Sequence, residues 1–416
     1  MDKENPTNQP EQRRNYIILT VAIFVGFLFF GFTDNARGPA IPRIQADFDI
    51  TELQVGILLA LNSIGYLIGC SYTTALAKKI GIKTCLIVAL AMMPVSGVLI
   101  CTVPNYTALL LAFFILNLGF GMIEISQGVI AATTFTKRTG TMMSLAHFFY
   151  GAGAAFSPVI STGLMVARFG GQLLGWRYMY LIILSCAIIP AIPLLIGKLK
   201  KQDYNKKKTG YAVILKKPSL WLTIMILALA AITEMGSAAW LVNFLEKAYS
   251  YQTDQAALRL TLFFVCFTLT RLCVGPLIDK IGFINSLAIS TAFAGAMIVA
   301  GVLIGEAGTP LLVIAGIGIA PIFPTVMATI AKLFSDEIDL AMTAIMTAMG
   351  IILVPANLLI GGIVNQARVI FTSSHGEAGV GMAYGAGYIF LGLCCFGSCV
   401  FALILKRRQK KTGFLV

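Results

Sequence analysis

From Tyr106 to Phe135 the chain reads YTALLLAFFILNLGFGMIEISQGVIAATTF, and Glu124 is the only charge in it. A helix of about 20 apolar residues crosses the ~30 Å hydrocarbon core of a bilayer. Inside that core every backbone N–H and C=O must be paired within the protein, which leaves helices and closed barrels as the only spanning structures. A run this long and apolar reads as a membrane-spanning helix. The signature recurs near residues 16–39, 53–76, 82–103, 106–135, 140–167, 174–197, 219–245, 256–279, 282–304, 309–334, 338–366 and 379–405. Twelve such runs predict an all-α polytopic membrane protein. Charged residues make up 12% of the chain, about half the usual share in soluble domains, which argues against a soluble fold. The third, fourth and ninth breaks are very short, so the runs they join form antiparallel hairpins.

The net charge of +13 could suggest nucleic acid, but its placement points elsewhere. Basic residues sit in alternate breaks: Arg13 and Arg14; Lys78, Lys79 and Lys83; Lys137 and Arg138; Lys198 to Lys217; Lys406 to Lys411. This two-beat pattern follows the positive-inside rule. It places both termini in the cytoplasm of a cell-membrane protein, with the lipid bilayer and no nucleic acid as partner. The first fifteen residues are polar with no apolar signal core, so the first span is expected to act as an uncleaved targeting signal.

Chemistry associated with enzymes has no pattern here. The cysteines are scattered with no CxxC pair, which fits buried reduced thiols, and His147 and His375 are too few for a histidine metal centre. Gly151-Ala-Gly153 and Gly316-Ile-Gly318 lie in apolar runs without the lysine or strand–turn–helix setting of a phosphate loop. The expectation is a non-enzyme without cofactor or metal.

Three acids sit away from run ends: Asp34, Glu124 and Glu234. An ionisable residue inside a membrane costs roughly 2.5–3.5 kcal/mol on insertion scales and marks an ion or substrate path by default. Each also has a plain structural reading. Asp34 has Arg37 one turn on and could form a helix-end pair. Glu124, with no basic residue in its run, could be a hydrogen-bonded carboxyl joining helices. Glu234 lies among small residues that let helices approach closely. The functional reading rests on simple chemistry: burial disfavours a charged carboxyl and water favours it. A carboxyl exposed in turn to two sides therefore takes up a proton on one and releases it on the other. One charge moved through 100 mV is worth about 2.3 kcal/mol, enough for roughly a fortyfold gradient.

Uncharged polar groups accompany the acids: Asn35, Asn62, Asn117, Gln127, Asn243, Asn357 and Gln366. Amides donate and accept hydrogen bonds, and a tryptophan face such as that of Trp240 stacks on a sugar ring. Interhelical hydrogen bonding is the plain alternative for any one amide. Gln127, one turn beyond Glu124, shares its face and leads the set. His147 could relay protons near neutral pH or simply pack.

The break Lys198–Ser219, KLKKQDYNKKKTGYAVILKKPS, divides the spans six and six. This gives a tail at 1–15, a bundle at 16–197, a basic linker at 198–218, a bundle at 219–405 and a tail at 406–416. After the eighth span comes Gly275-Pro-Leu-Ile-Asp279-Lys-Ile-Gly282, and after the second comes Ala75-Leu-Ala-Lys78-Lys-Ile-Gly81. The two share a leucine, a basic residue and Ile-Gly at matching spacing. Two six-helix halves around a basic linker resemble the major facilitator superfamily, whose halves are pseudo-symmetric repeats around a central site. In that family the loop aspartate latches the cytoplasmic gate with a basic residue, a role that would fall to Asp279 and Arg271.

Longer motifs resemble the fucose/hexose:proton symporter branch of that superfamily. Gly121-Met-Ile-Glu124 is similar to its fourth-helix pattern. Leu145-Ala-His147-Phe-Phe-Tyr-Gly151-Ala-Gly153 with Pro158 is similar to the fifth. Glu234 with Gly236 and Trp240 is similar to the seventh, and Ala320-Pro-Ile-Phe-Pro-Thr325 to the tenth. The resemblance implies proton coupling at Asp34 and Glu124. With the polar residues read above, the expected substrate site takes in Gln127, Glu234, Trp240, Asn35, His147 and Asn357, and a monomer is the usual superfamily arrangement. The expected function is alternating-access transport of a monosaccharide or similar small polar solute, coupled to protons or, as the alternative ion, sodium. A proton-antiport exporter of amphipathic compounds is the competing reading.

Overall fold

The computed structural model describes residues 9–135, 139–199, 214–334, 338–376 and 378–412. Twelve helical spans cross the membrane: Pro10–Phe48, Glu52–Ile80, Ile82–Thr102, Tyr106–Thr134, Leu145–Val166, Gly175–Ile196, Pro218–Tyr249, Thr253–Cys273, Phe283–Ile304, Glu306–Ile330, Ala341–His375 and Ala378–Lys410. They follow the expected order. Large apolar side chains such as Leu111, Ile192 and Leu303 are well exposed, as they are when lipid replaces protein around a helix.

Prolines decide where spans break. The first span runs as Gln9–Asn35 and then Arg37–Phe48, about nine residues further than hydropathy suggested. Pro39 falls in the first turn of the second segment, where a missing N–H costs little. The sixth span divides into Gly175–Cys186 and Ala191–Ile196. Pro190 has no N–H for the carbonyl of Cys186, and the Ile189 amide takes that carbonyl instead at 3.0 Å. The tenth divides into Thr309–Ile319 and Ile322–Leu333, around Pro321 and Pro324.

The chain forms two compact units. Unit 1 comprises 1–34, 65–157 and 164–206, and unit 2 comprises 35–64, 158–163 and 207–416. In unit 1 the spans meet along glycine seams. A Cβ on Gly31 would strike the backbone of Tyr150, and one on Gly153 the backbone of Leu28. First and fifth spans thus touch main chain to main chain. Gly69 against Leu118, and Gly121 against Tyr66, do the same for the second and fourth. Small residues at such crossings give dispersion contact in a solvent where apolar burial supplies no driving force. Ser157 Oγ donates to Phe32 O at 2.6 Å across the first seam. Lys83 Nζ donates to the carbonyls of Leu195 and Gly197, at 3.0 and 2.7 Å, closing the carbonyl end of the sixth span.

Unit 2 has an apolar core from Leu220, Ile224 and Leu227 of the seventh span, Ile284 and Leu287 of the ninth, and Val326, Ile330, Ile345 and Leu405 beyond. The seventh and twelfth spans are joined by hydroxyls that find carbonyls on the facing helix. Thr233 donates to Leu391 O at 2.9 Å, Tyr388 to Ser237 O at 3.1 Å and Ser398 to Ile226 O at 2.9 Å. The seventh span is a single helix, Pro218–Tyr249, of 32 residues.

Candidate functional site

Unit 1 brings two of the three acids together. The Tyr150 hydroxyl donates to Asp34 Oδ2 at 2.9 Å. The Gly31–Gly153 seam sets this pairing by holding the two backbones in contact. Phe30 stands edge-on to the Tyr150 ring, centroids 5.3 Å apart. Glu124 is half-buried and close enough to Asp34 for the two charges to interact. It also borders Tyr66 and Cys70 of the second span. Cys70 Sγ donates to Gly121 O at 3.5 Å, one turn before the acid.

The other unit 1 residues are placed differently. His147 packs edge-on against Phe27, centroids 5.2 Å apart, inside the first–fifth seam. Gln127 is buried, its amide nitrogen lying over Gly26. It lines a small closed pocket with Ala22, Leu86, Leu90, Pro190 and Leu194, and its Oε1 has no hydrogen-bond partner. Glu124 thus borders the second span, while Gln127 looks toward the third and sixth. Residues three apart differ by about 60° around a helix, which is enough to send two side chains to different neighbours.

In unit 2, Glu234 Oε1 lies 3.9 Å from Arg271 NH2, with side chains 30% and 15% exposed. The Arg271 guanidinium also lies 4.2 Å from the centre of the Phe267 ring. Its Nε donates to Ala320 O at 3.2 Å. That carbonyl is the one Pro324 would have served had it an N–H, so Arg271 satisfies the orphan that the tenth-span break creates. One guanidinium therefore ties the seventh, eighth and tenth spans. The Asp279 side chain lies outside the described residues, so its expected pairing with Arg271 has no geometry here.

Trp240 is 1% exposed, its ring 6.3 Å from that of Tyr384, so protein covers it on all sides. Its Nε1 has no hydrogen-bond partner. Asn35 is buried and belongs to unit 2. Asn357 Nδ2 donates to Ser63 Oγ at 3.0 Å and to Leu353 O at 3.1 Å. The structure therefore assembles Asp34 with Glu124, and Glu234 with Arg271. It sets Gln127, His147, Trp240 and Asn357 against neighbouring helices.

Sequence reasoning passed over Tyr150, Tyr66 and Cys70, because a search for charges does not register neutral hydroxyls and thiols. It also passed over Glu52, Arg43, Glu246 and Arg368, which sit where runs begin or end. The tyrosine was visible in the fifth-span pattern; the run-end charges had no signal that separated them from ordinary interfacial residues.

Comparison with known proteins agrees with this architecture. The family model described as Major Facilitator Superfamily matches residues 23–356. "Bypass of stop codon protein 6" of Saccharomyces cerevisiae (strain ATCC 204508 / S288c) is 21% identical over 66% of this chain and 59% of its own length. The L-fucose-proton symporter of Escherichia coli (strain K12) is 25% identical over 38% of this chain and 37% of its own. These alignments thus span less than two thirds of either relative. Among solved structures, a bacterial homolog to the human lysosomal transporter Spinster superposes with a TM-score of 0.74 at 13% identity. It covers 95% of this chain and 96% of its own. A model match over most of the sequence, together with twelve spans in the same fold, makes this chain a member of the Major Facilitator Superfamily.

Proposed function

We propose that this protein is a proton-coupled secondary transporter that moves a monosaccharide or similar small polar solute by alternating access. The observation that carries the reading is the cluster of Asp34, Tyr150 and Glu124, two carboxyls within electrostatic reach of each other inside membrane spans. Intramembrane carboxyls are costly and mark ion or substrate paths by default, and a carboxyl takes up and releases a proton as its surroundings change. Glu124 and Asp34 carry the proton. Glu234, held by Arg271, supplies a polar contact for the solute from the other half. The similarity to a protein named as an L-fucose-proton symporter supports a sugar and a proton as the two cargoes.

In this reading residues 16–197 and 219–405 are the two moving halves, acting as a monomer in the cell membrane with both termini cytoplasmic. The test is uptake by proteoliposomes of L-fucose, other monosaccharides and polar metabolites, chosen by thermal-shift screening, since ligand binding raises the melting temperature by mass action. The expected result is accumulation under an inward proton gradient, collapsed by a protonophore and abolished in Glu124→Gln. Solute flux that ignores the gradient, or survives intact in Glu124→Gln, overturns the coupling.

A further inference from the structure

We infer that a depression at the outer ends of the seventh and eighth spans is a second binding site, one that takes a monosaccharide or similar hydroxylated ring. The inference takes its ligand class and its orientation from the transport reading, and its geometry from residues that reading does not use.

The site lies wholly within unit 2. Tyr249 ends the seventh span, and Tyr251 stands in the turn to the eighth. Ser250 between them takes φ 55°, a left-handed backbone uncommon outside glycine. The amides of Ser250 and Tyr251 both return to Leu245 O. That tight reversal keeps the two rings side by side, centroids 6.4 Å apart. Gln255 and Arg259 come from the first two turns of the eighth span. Glu306 opens the tenth, behind Gly305 at φ 82° and ψ −144°, a backbone that glycine takes at no steric cost. These side chains line one open depression of about 440 Å³, within the size range of small-molecule sites.

Three features fit this depression to a ligand. First, the rings are held. Phe244, itself stacked on Tyr388 at 4.7 Å, stands edge-on to Tyr249 at 5.3 Å. The Tyr251 hydroxyl lies 3.3 Å from Thr309 Oγ1. Rings already fixed lose little freedom when a ligand lands on them. Second, the charges are uncommitted. Glu306 is within electrostatic reach of Tyr249, yet neither Glu306 nor Arg259 has a hydrogen bond or ion pair among the described residues. A guanidinium offers only donors, a carboxylate only acceptors, and the Gln255 amide both. Third, the depression is open to water, and that decides the kind of ligand. Exposed ion pairs contribute little, so a zwitterion gains little from the two charges. A sugar ring lays its C–H face on a tyrosine. Its hydroxyls, each both donor and acceptor, meet the arginine, the glutamate and the amide.

The test reads the depression itself. Tyr251→Trp places a fluorescent reporter in it, and the parent protein gives the background from the native tryptophans. Purified protein is titrated with L-fucose, with D-glucose and, as a zwitterion, with L-alanine. The expected result is a saturable change with a monosaccharide at about millimolar concentration, and none with L-alanine. Adding Arg259→Gln and Glu306→Gln is expected to raise the half-saturation point roughly tenfold. No saturable change with either sugar, a half-saturation point that ignores the two substitutions, or an equal response to L-alanine overturns the site. The second arm keeps both tyrosines. Saturation-transfer NMR from protein to L-fucose is compared between the parent and Arg259→Gln plus Glu306→Gln, whose side chains make no contact that folding would miss. A loss of transfer is expected; undiminished transfer overturns the inference. Proton-driven uptake is read separately. Uptake with a silent depression strikes the site and leaves the transport reading standing, whereas a responding depression without uptake does the reverse.

Discussion

Unit 1 and the 35–64 segment of unit 2 hold helices together in different ways. The seams of unit 1 are main chain against main chain, with glycine at the crossings and single neutral hydrogen bonds such as Ser157 to Phe32. The 35–64 segment also crosses at glycine, Gly38 against Ala238 and Gly56 against Gly361, but it gathers ions and amides around those crossings. A backbone seam has no second partner to turn to, since lipid and neighbouring helix offer equal apolarity and only close fit favours contact. A polar contact has water as an alternative partner. The difference separates a contact fixed by close fit from one that solvent can replace.

The largest effect is expected where a seam is overfilled. Gly121→Leu drives a side chain into the Tyr66 backbone and is expected to cost 3 kcal/mol or more, roughly the upper end for overpacking. The check is loss of a monodisperse peak and of a cooperative melt. Gly128→Leu, on the same helix with open space around it, is expected to behave as the parent. If both variants fold equally well, the seam is not what fixes unit 1.

The burial difference across the Glu52–Arg368 pair predicts an asymmetry of intermediate size. Arg368→Gln leaves the buried Glu52 with Tyr384 alone, whereas Glu52→Gln leaves a half-exposed arginine that water serves. The first is expected to cost about 1.5–3 kcal/mol, as for hydrogen bonds to charged groups, and the second less than about 1. Thermal melts of the two variants check the order; a reversed order breaks the assignment of Glu52 as the buried member.

A smaller effect is expected at Tyr150→Phe, which removes one hydrogen bond to Asp34 and leaves the ring contacts with Phe30. The net worth of such a bond is about 0.5–1.5 kcal/mol, so the melt should fall slightly and proton-driven uptake roughly two- to tenfold. Least of all, Glu11→Gln removes an exposed pair with Lys198 at 3.0 Å. Surface pairs contribute little, and neither melting temperature nor uptake should respond.

Hydropathy was enough to read the helix count, because in lipid the solvent itself dictates the element. The tenth-span break was not read, although Pro321 and Pro324 stand at it. What escaped was pairing across distant sequence. Glu52 heads an apolar run and reads as an interfacial residue until Arg368 and Tyr384 are seen to meet it. Arg271 also engages Glu234 and a carbonyl left over by Pro324, contacts that no run pattern announces. Gln127 shares a face with Glu124 at coarse resolution, but the side chain leads to a pocket by Leu86 and Leu194. Helical periodicity gives a face to within a turn, and chemistry depends on finer angles than that.

The seventh span is unbroken from Pro218 to Tyr249, and it carries Glu234 and Glu246 on one rod. They are about 18 Å apart along its axis at ~1.5 Å per residue. An unbroken rod is a lever: a slight tilt at Glu234 becomes a larger displacement at Glu246 and Asn243, so the two positions are mechanically linked without any chain of intervening residues.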